Sequence, residues 1–264
     1  MKSFEKYWAI FKITLLNSLA YPGEVIGRSL LIVPFMWIFY QLWSVTFQAS
    51  GTDVISGMTL HSTMWYLMMA ETIELSRPML ARTISDNVKD GSIVYILNKP
   101  YNFLLYQFSG SMGETVFRAV TNALFGSLMV WWLVGAPPTR LGWLFAFAAL
   151  LGTWVLNFCI SCLIGLSAFL VEDVAPFVWI YQKFIFILGG FLVPLDFYPN
   201  WLQVIARSLP FSAMIYGPSK LFVAPSWQLL GQVTLLQAAW IVALGFALLV
   251  SYRRGVTYLT VNGG

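Results

Sequence analysis

Long apolar stretches alternate with short polar interruptions along this chain. A hydrocarbon core about 30 Å thick takes roughly 20 apolar residues as a helix. By that measure the pattern predicts six spans, near residues Ile26–Phe47, Thr59–Ser76, Glu114–Val134, Leu141–Val171, Pro176–Val193 and Leu229–Tyr252. The fourth is long enough to imply tilt or an extension beyond the bilayer. The punctuation between spans is short: Ala49-Ser-Gly-Thr-Asp53, Gly135-Ala-Pro-Pro138 and the turn at Glu172-Asp173. Arg253-Arg254 then lead a short tail to Gly264.

Ahead of the first span, Phe4, Trp8, Phe11, Leu15 and Leu19 recur at spacings of four, three, four and four. That places them on one helical face, with Lys2, Glu5, Lys6 and Lys12 elsewhere. The reading is an amphipathic helix over residues 2–20, lying in the membrane interface. The competing reading is that it simply begins the first span, but Tyr21-Pro-Gly23 argues for a break between them.

Two polar segments interrupt the apolar pattern conspicuously. The first is an arm from Arg77 to Tyr101, between spans two and three, with four of the fifteen Lys/Arg and two of the eleven acids. Within it, Ser85-Asp-Asn-Val-Lys-Asp-Gly91 is strongly polar and Gly91 is a plausible turn. Ile93-Val-Tyr-Ile-Leu97 is too short to span, but it can rest on the interface or dock in a partner's groove. A plain solvated connector is the alternative. The second segment covers residues 194–225, between spans five and six. Pro199 is placed to begin a short helix, with Trp201, Leu202, Ile205 and Leu209 toward the membrane. Pro194 and Pro210 bracket it. Irregular backbone near membrane depth survives only where protein or water satisfies its polar groups. A re-entrant or lid-like element fits, and an ordinary outer loop competes with it.

Composition sharpens this picture. The chain is 59% hydrophobic and 10% charged, with a mean hydropathy of +0.74. A soluble domain is about 25% charged. An all-α integral membrane protein with a single domain over residues 1–264 follows. Twelve tryptophans suit interfacial belts. The pI of 9.1 fits basic residues beside anionic headgroups. Nucleic acid is not expected as a partner, because these charges flank apolar runs and form no dense cluster. The segment from Met1 to Ala20 does not read as a cleavable signal, since it lacks an uninterrupted apolar region. Lys2, Lys6, Lys12, Arg28, Arg77, Arg82, Lys89, Lys99, Arg253 and Arg254 fall on one set of loops. Only Arg140, Arg207 and Lys220 fall on the other. The positive-inside rule puts the first set, and both termini, in the cytosol.

Candidate chemistry is sparse. Cys159 and Cys162 share an apolar run and read as packing residues rather than a redox or metal pair. His61 is the sole histidine, and its only nearby company is Ser62 and Thr63. No metal site and no catalytic residue is expected. The P-loop pattern is missing, so ATP phosphates would not be cradled in that way on this chain. Glu71 and Glu74 share a helical face near the end of span two, with Arg77 three residues beyond. Glu114 and Arg118 form an i,i+4 pair, and Lys183 lies within span five. Charges at such depth usually face a bundle interior, water or one another. They read either as a polar pathway or as structural pairs, local or between helices.

The segment Gly189-Gly-Phe-Leu-Val-Pro-Leu-Asp-Phe-Tyr-Pro-Asn-Trp-Leu202, the arm's Gly91-Ser-Ile-Val-Tyr-Ile-Leu-Asn-Lys-Pro100 and the terminal Val261-Asn-Gly-Gly264 add a further signal. With the order of spans, they make the chain resemble the ABC-2 type permeases. The likeness is greatest to a bacterial subfamily once catalogued as a domain of unknown function. It covers nearly the whole chain. The resemblance implies a multi-pass exporter subunit of the bacterial cytoplasmic (inner) membrane, working by alternating access. It implies a second permease subunit, identical or homologous, and two copies of a separate ATPase that holds ATP and Mg. No cofactor is expected on this chain, and membrane lipid surrounds it. The arm would hold the coupling helix, with Arg82, Ser85, Asp86, Asn87, Lys89, Asp90, Tyr95 and Lys99 as candidate contacts. The segment with Pro194, Phe197, Pro199, Trp201 and Pro210 would be an outer re-entrant helical hairpin. Two other classes remain: a secondary transporter or channel without an ATPase, and a membrane lipid-modifying enzyme.

Overall fold

The computed structural model describes residues 2–20, 22–171 and 173–262. Tyr21 of the expected break, Glu172 of the expected turn and Gly263-Gly264 of the terminal motif lie outside the described residues. The fold is a helical bundle. In chain order it comprises α1 (Lys2–Ala20), α2 (Pro22–Ser29), α3 (Ile32–Ser50), β1 (Val54–Ile55), β2 (Met58–Thr59), α4 (Leu60–Leu75), α5 (Leu80–Lys89) and α6 (Ile93–Leu97). Then follow α7 (Phe103–Val134), α8 (Leu141–Leu166), a 3₁₀ turn at Ser167–Phe169 and α9 (Ala175–Leu188). A second 3₁₀ turn at Leu195–Phe197 leads to α10 (Asn200–Ser208), α11 (Pro210–Met214), α12 (Tyr216–Val223) and α13 (Trp227–Asn262). The strands form a small antiparallel hairpin pairing Val54 with Thr59. Its turn uses Ser56 at φ 49° and Gly57 at φ 77°, the left-handed pair that matches strand twist.

Among the described residues, four helical segments are long and apolar enough to cross a membrane: Ile26–Ser50, Phe103–Val134, Leu141–Phe169 and Trp227–Gly255. The expected second and fifth spans are α4, with 16 residues, and α9, with 14, and both are shorter. Helix α4 is the centre of the bundle, with every residue from Thr63 to Ile73 buried. A helix that is apolar all round belongs in an interior. Its start is set by a capping box in which the Thr59 side chain accepts from the Ser62 amide, and the Ser62 hydroxyl accepts from the Thr59 amide.

Several boundaries differ from the sequence reading, each for a local reason. The first span is interrupted at Leu30–Leu31, between α2 and α3. Pro34 cannot donate to the Leu30 carbonyl and its ring crowds that position, so the ladder is disturbed one turn before the proline. Helix α7 begins at Phe103 rather than near Glu114, because the Asn102 side chain caps it by accepting from the Leu105 amide at 3.1 Å. The fifth span ends at Leu188 rather than Val193, where Gly190 turns the chain at φ 72°. Helix α13 continues through Arg253-Arg254 to Asn262, so the expected tail is helical.

Helix α1 packs along α7. A Cβ at Gly113 would lie 2.7 Å from the Phe11 carbonyl oxygen, so only glycine permits this approach. Its apolar residues are divided: Phe4, Trp8 and Leu19 are exposed, and Phe11 and Leu15 half-buried against the bundle. The main core gathers α3, α4, α9 and the short helices α11 and α12. A second core joins α5 and α6 to α7, α8 and α13.

Candidate functional site

The arm folds into α5 and α6, seated on α8. Leu80, Ala81, Ile84 and Ser85 form the buried face of α5, while Arg82, Thr83, Asp86 and Lys89 look outward. The seat is close because residue 165 is glycine: a Cβ there would meet Ile84 Cβ at 2.8 Å. Ile84 and Ile93 share a core with Phe158, Cys159, Cys162 and Leu166 of α8. The two cysteines are free and buried, and they pack beneath the arm.

Between α5 and α6 the chain turns at Gly91, with φ 75°. The Asp90 carboxylate accepts from the Ser92 amide at 2.8 Å, and the Ser92 hydroxyl donates to Asn87 Oδ1 at 3.2 Å. Hydrogen bonds from Ser92 hold the Asp90 carboxyl below its ordinary value. Beyond the turn, Ile93 points inward, whereas Val94 and Tyr95 are 49% and 77% exposed. Asp86, Lys89, Asp90 and Lys99 are also exposed, and Asn87 is half-buried. Ser85 differs from the other candidate contacts. At 1% exposure it faces the bundle, so it offers no surface to a docked subunit. Lys89 reaches Asp173, in the connection between α8 and α9, at 3.7 Å. The Asn102 amide donates to the Tyr7 hydroxyl at 2.9 Å, tying the arm's far end to α1.

Beside the arm, Glu74, Arg77 and Arg118 line a cavity of about 380 Å³, whereas Glu71, Glu114 and Lys183 are not in its wall. Arg77 Nη1 donates to Glu74 Oε2 at 2.6 Å, and its guanidinium lies 4.7 Å from the Tyr181 ring centroid. Arg118 pairs with Glu114 and also donates to the Arg77 carbonyl at 3.2 Å. Thus two local pairs, at i,i+3 and i,i+4, are stitched together across helices α4 and α7. Tyr181 donates to Asn157 Oδ1 at 3.0 Å, extending the polar wall to α8 and α9. Glu71 is 3% exposed on α4 and makes no hydrogen bond or ion pair among the described residues. Lys183 stands apart, stacked over Trp179 and Phe186 at 5.0 and 5.4 Å.

Elsewhere in the bundle, a network centres on Asp196, which the sequence reading passed over. Lys220 donates to its Oδ2 at 2.8 Å, and Tyr216 and Arg207 donate to its Oδ1 at 3.0 and 3.3 Å. It ties the 3₁₀ turn to α10 and α12. A signal for it existed, because Asp196 is the sole acid after Asp173, and Arg207 and Lys220 are the bases of residues 194–225. Pro199 precedes α10, Trp201 is 66% exposed on it, and Pro210 opens α11. Pro194 is buried, and Phe197 packs on Trp43 with ring centroids 4.9 Å apart. His61 Nε2 lies 2.7 Å from the Ala136 carbonyl, an anchor between α4 and the loop after α7. No group of three or more His, Cys, Asp or Glu residues gathers among the described residues.

A family model described as ABC-2 family transporter protein matches residues 11–263. The chain belongs to the ABC-2 transporter family. No curated protein matches it. Membership makes this a multi-pass membrane protein and the permease component of an ABC transporter, a family whose general partner is an ABC ATPase. The match runs through the arm, the charged cavity and the Asp196 network alike. In this ABC-2 permease the arm is therefore an exposed element anchored to the helical bundle, with the charged cavity at the C-terminal end of α4 and the Asp196 network reaching α4 at Tyr66 through Tyr216.

Proposed function

We propose that this permease forms half of the membrane pathway of an ATP-driven exporter, paired with a second permease and driven by two copies of a separate ATPase that carries ATP and Mg. It sits in the bacterial cytoplasmic membrane with both termini and the arm in the cytosol. It crosses six times, with α4 and α9 as the short crossings. Sixteen residues of α4 rise only ~24 Å, but this helix is enclosed by its neighbours. Helix α9 is continued by irregular backbone whose carbonyls find side-chain donors. Tyr66 donates to the Gly190 carbonyl at 2.7 Å, and Tyr198 to the Ile187 carbonyl at 2.8 Å. Helices α10 to α12 are then a re-entrant hairpin that caps the pathway from outside.

The observation that carries this reading is the two-sided arm. One side is seated on α8 through Ile84 on Gly165. The other side presents Val94 and Tyr95, with Asp86, Lys89, Asp90 and Lys99 also exposed on the arm. An apolar knob with a charged rim suits a groove in a soluble subunit. A push on it would be carried into α8, giving alternating access. The test is the charge swap Asp86→Lys with Lys89→Glu. Both residues are exposed, so folding should survive. Co-purification of the ATPase should fall, and hydrolysis should lose its dependence on transport. Unchanged ATPase recovery with the folded double variant would refute the assignment.

A further inference from the structure

The cavity beside the arm holds more positive charge than its ion pairs neutralise. Arg77, Arg82 and Arg118 line it, and two carboxylates, Glu74 and Glu114, engage them. Glu74 is engaged by Arg77, and Glu114 by Arg118. Arg82, exposed on α5, makes no hydrogen bond or ion pair among the described residues. The cavity wall also carries Asn122, 2% exposed, whose amide donates to Ser76 Oγ while its Oδ1 has no partner. The rim is different in character. Leu31 and Met79, 52% and 53% exposed, flank the opening. Guanidinium groups and exposed apolar side chains therefore line one cavity.

We propose that this cavity binds the anionic headgroup of an amphiphile. A phosphate or carboxylate would lie against Arg82 and the outward edges of Arg77 and Arg118, with an apolar chain leaving along Leu31 and Met79. Guanidinium groups present planar forks that match such oxyanions, and partial burial strengthens the contact. The 380 Å³ volume falls within the roughly 300–1,000 Å³ typical of ligand pockets. The proposal stands apart from ATPase docking, since its evidence lies inside the permease.

The same anion could come from the bilayer or from solution, and the experiment separates the two. The purified full-length chain in detergent is titrated with phosphatidylglycerol, with phosphatidylcholine and with inorganic phosphate. Binding is read by native mass spectrometry and by the shift in unfolding temperature. Phosphatidylglycerol should bind at least tenfold more tightly than phosphatidylcholine. Arg82→Gln should weaken it about tenfold, the scale of one charge-assisted contact, whereas Arg254→Gln, outside the cavity, should leave it unchanged. Phosphatidylglycerol binding with no effect of phosphate assigns the site to lipid. Arg82-dependent binding of phosphate itself assigns it to a free anion. Equal binding of the two lipids without Arg82-dependent phosphate binding, or equal losses in the Arg82 and Arg254 variants, would overturn the proposal.

Discussion

Replacing Asp196 with alanine removes the acceptor on which three donors converge. Lys220 is the most consequential, at 2.8 Å with side-chain exposures of 18% and 14% for the pair. A partly buried charge-assisted contact of this kind contributes about 2 kcal/mol. The Tyr216 hydroxyl, at 3.0 Å, adds about 1 kcal/mol. Arg207 is 47% exposed and 3.3 Å away, so solvent screening reduces its share to at most about 0.5 kcal/mol. Asp196→Ala should therefore cost about 3 kcal/mol, much of it from leaving Lys220 without a counter-charge. Asp196→Asn keeps the shape and the tyrosine contact, and should cost about half as much. The assay is SDS-titrated unfolding of the purified permease in detergent, run as a double-mutant cycle with Lys220→Met. A coupling of about 1–2 kcal/mol is expected between the two sites. If Asp196→Ala lies within about 0.5 kcal/mol of the parent, or the cycle is additive, the hub is decorative and the network argument fails.

Three further outcomes follow from the packing. Gly165→Val should lift α5 from α8, because even a Cβ would sit 2.8 Å from Ile84. A loss of about 1–3 kcal/mol and faster proteolysis within the arm are expected, and an unaltered cleavage pattern would contradict the seat. Cys159 and Cys162, 5% and 0% exposed, should resist a membrane-permeant maleimide in the folded protein and react fully after denaturation; rapid labelling of the native chain would show that the arm opens. The Asp90 carboxyl is held below its ordinary value, so its contribution to the turn is present above that value and is lost as pH falls through the depressed one. Protease sensitivity at Gly91 should then stay flat from pH 8 to pH 5, and rise across that whole range in Asp90→Ala relative to the parent.

Much of the molecule was legible in the chain. Apolar length alone implied helices in a membrane, because backbone groups there must be satisfied within the segment. Pro199 and Pro210 marked the boundaries of the short helices within residues 194–225, whereas the end of α9 before Gly189-Gly190 was not read from the chain. The 3.6-residue period placed Glu74 near Arg77 and Glu114 near Arg118. The arm stood out by charge, and its quoted motifs pointed to the ABC-2 family that the match over residues 11–263 establishes.

Tertiary structure decided where each of those residues faces. Ser85 and Asp86 are neighbours of similar polarity, yet one is buried on α8 and the other exposed, because the phase of α5 follows the position of Gly165. The contact from Arg118 to the Arg77 carbonyl crosses 41 residues, and that from Lys220 to Asp196 crosses 24, distances that no local period encodes. The same limit holds for the apolar positions. Ile185 is fully buried, while Ile187 is 53% exposed on the same helix. Lipid tails and a protein core are equally apolar, so hydropathy reports that a side chain avoids water but not which of the two receives it.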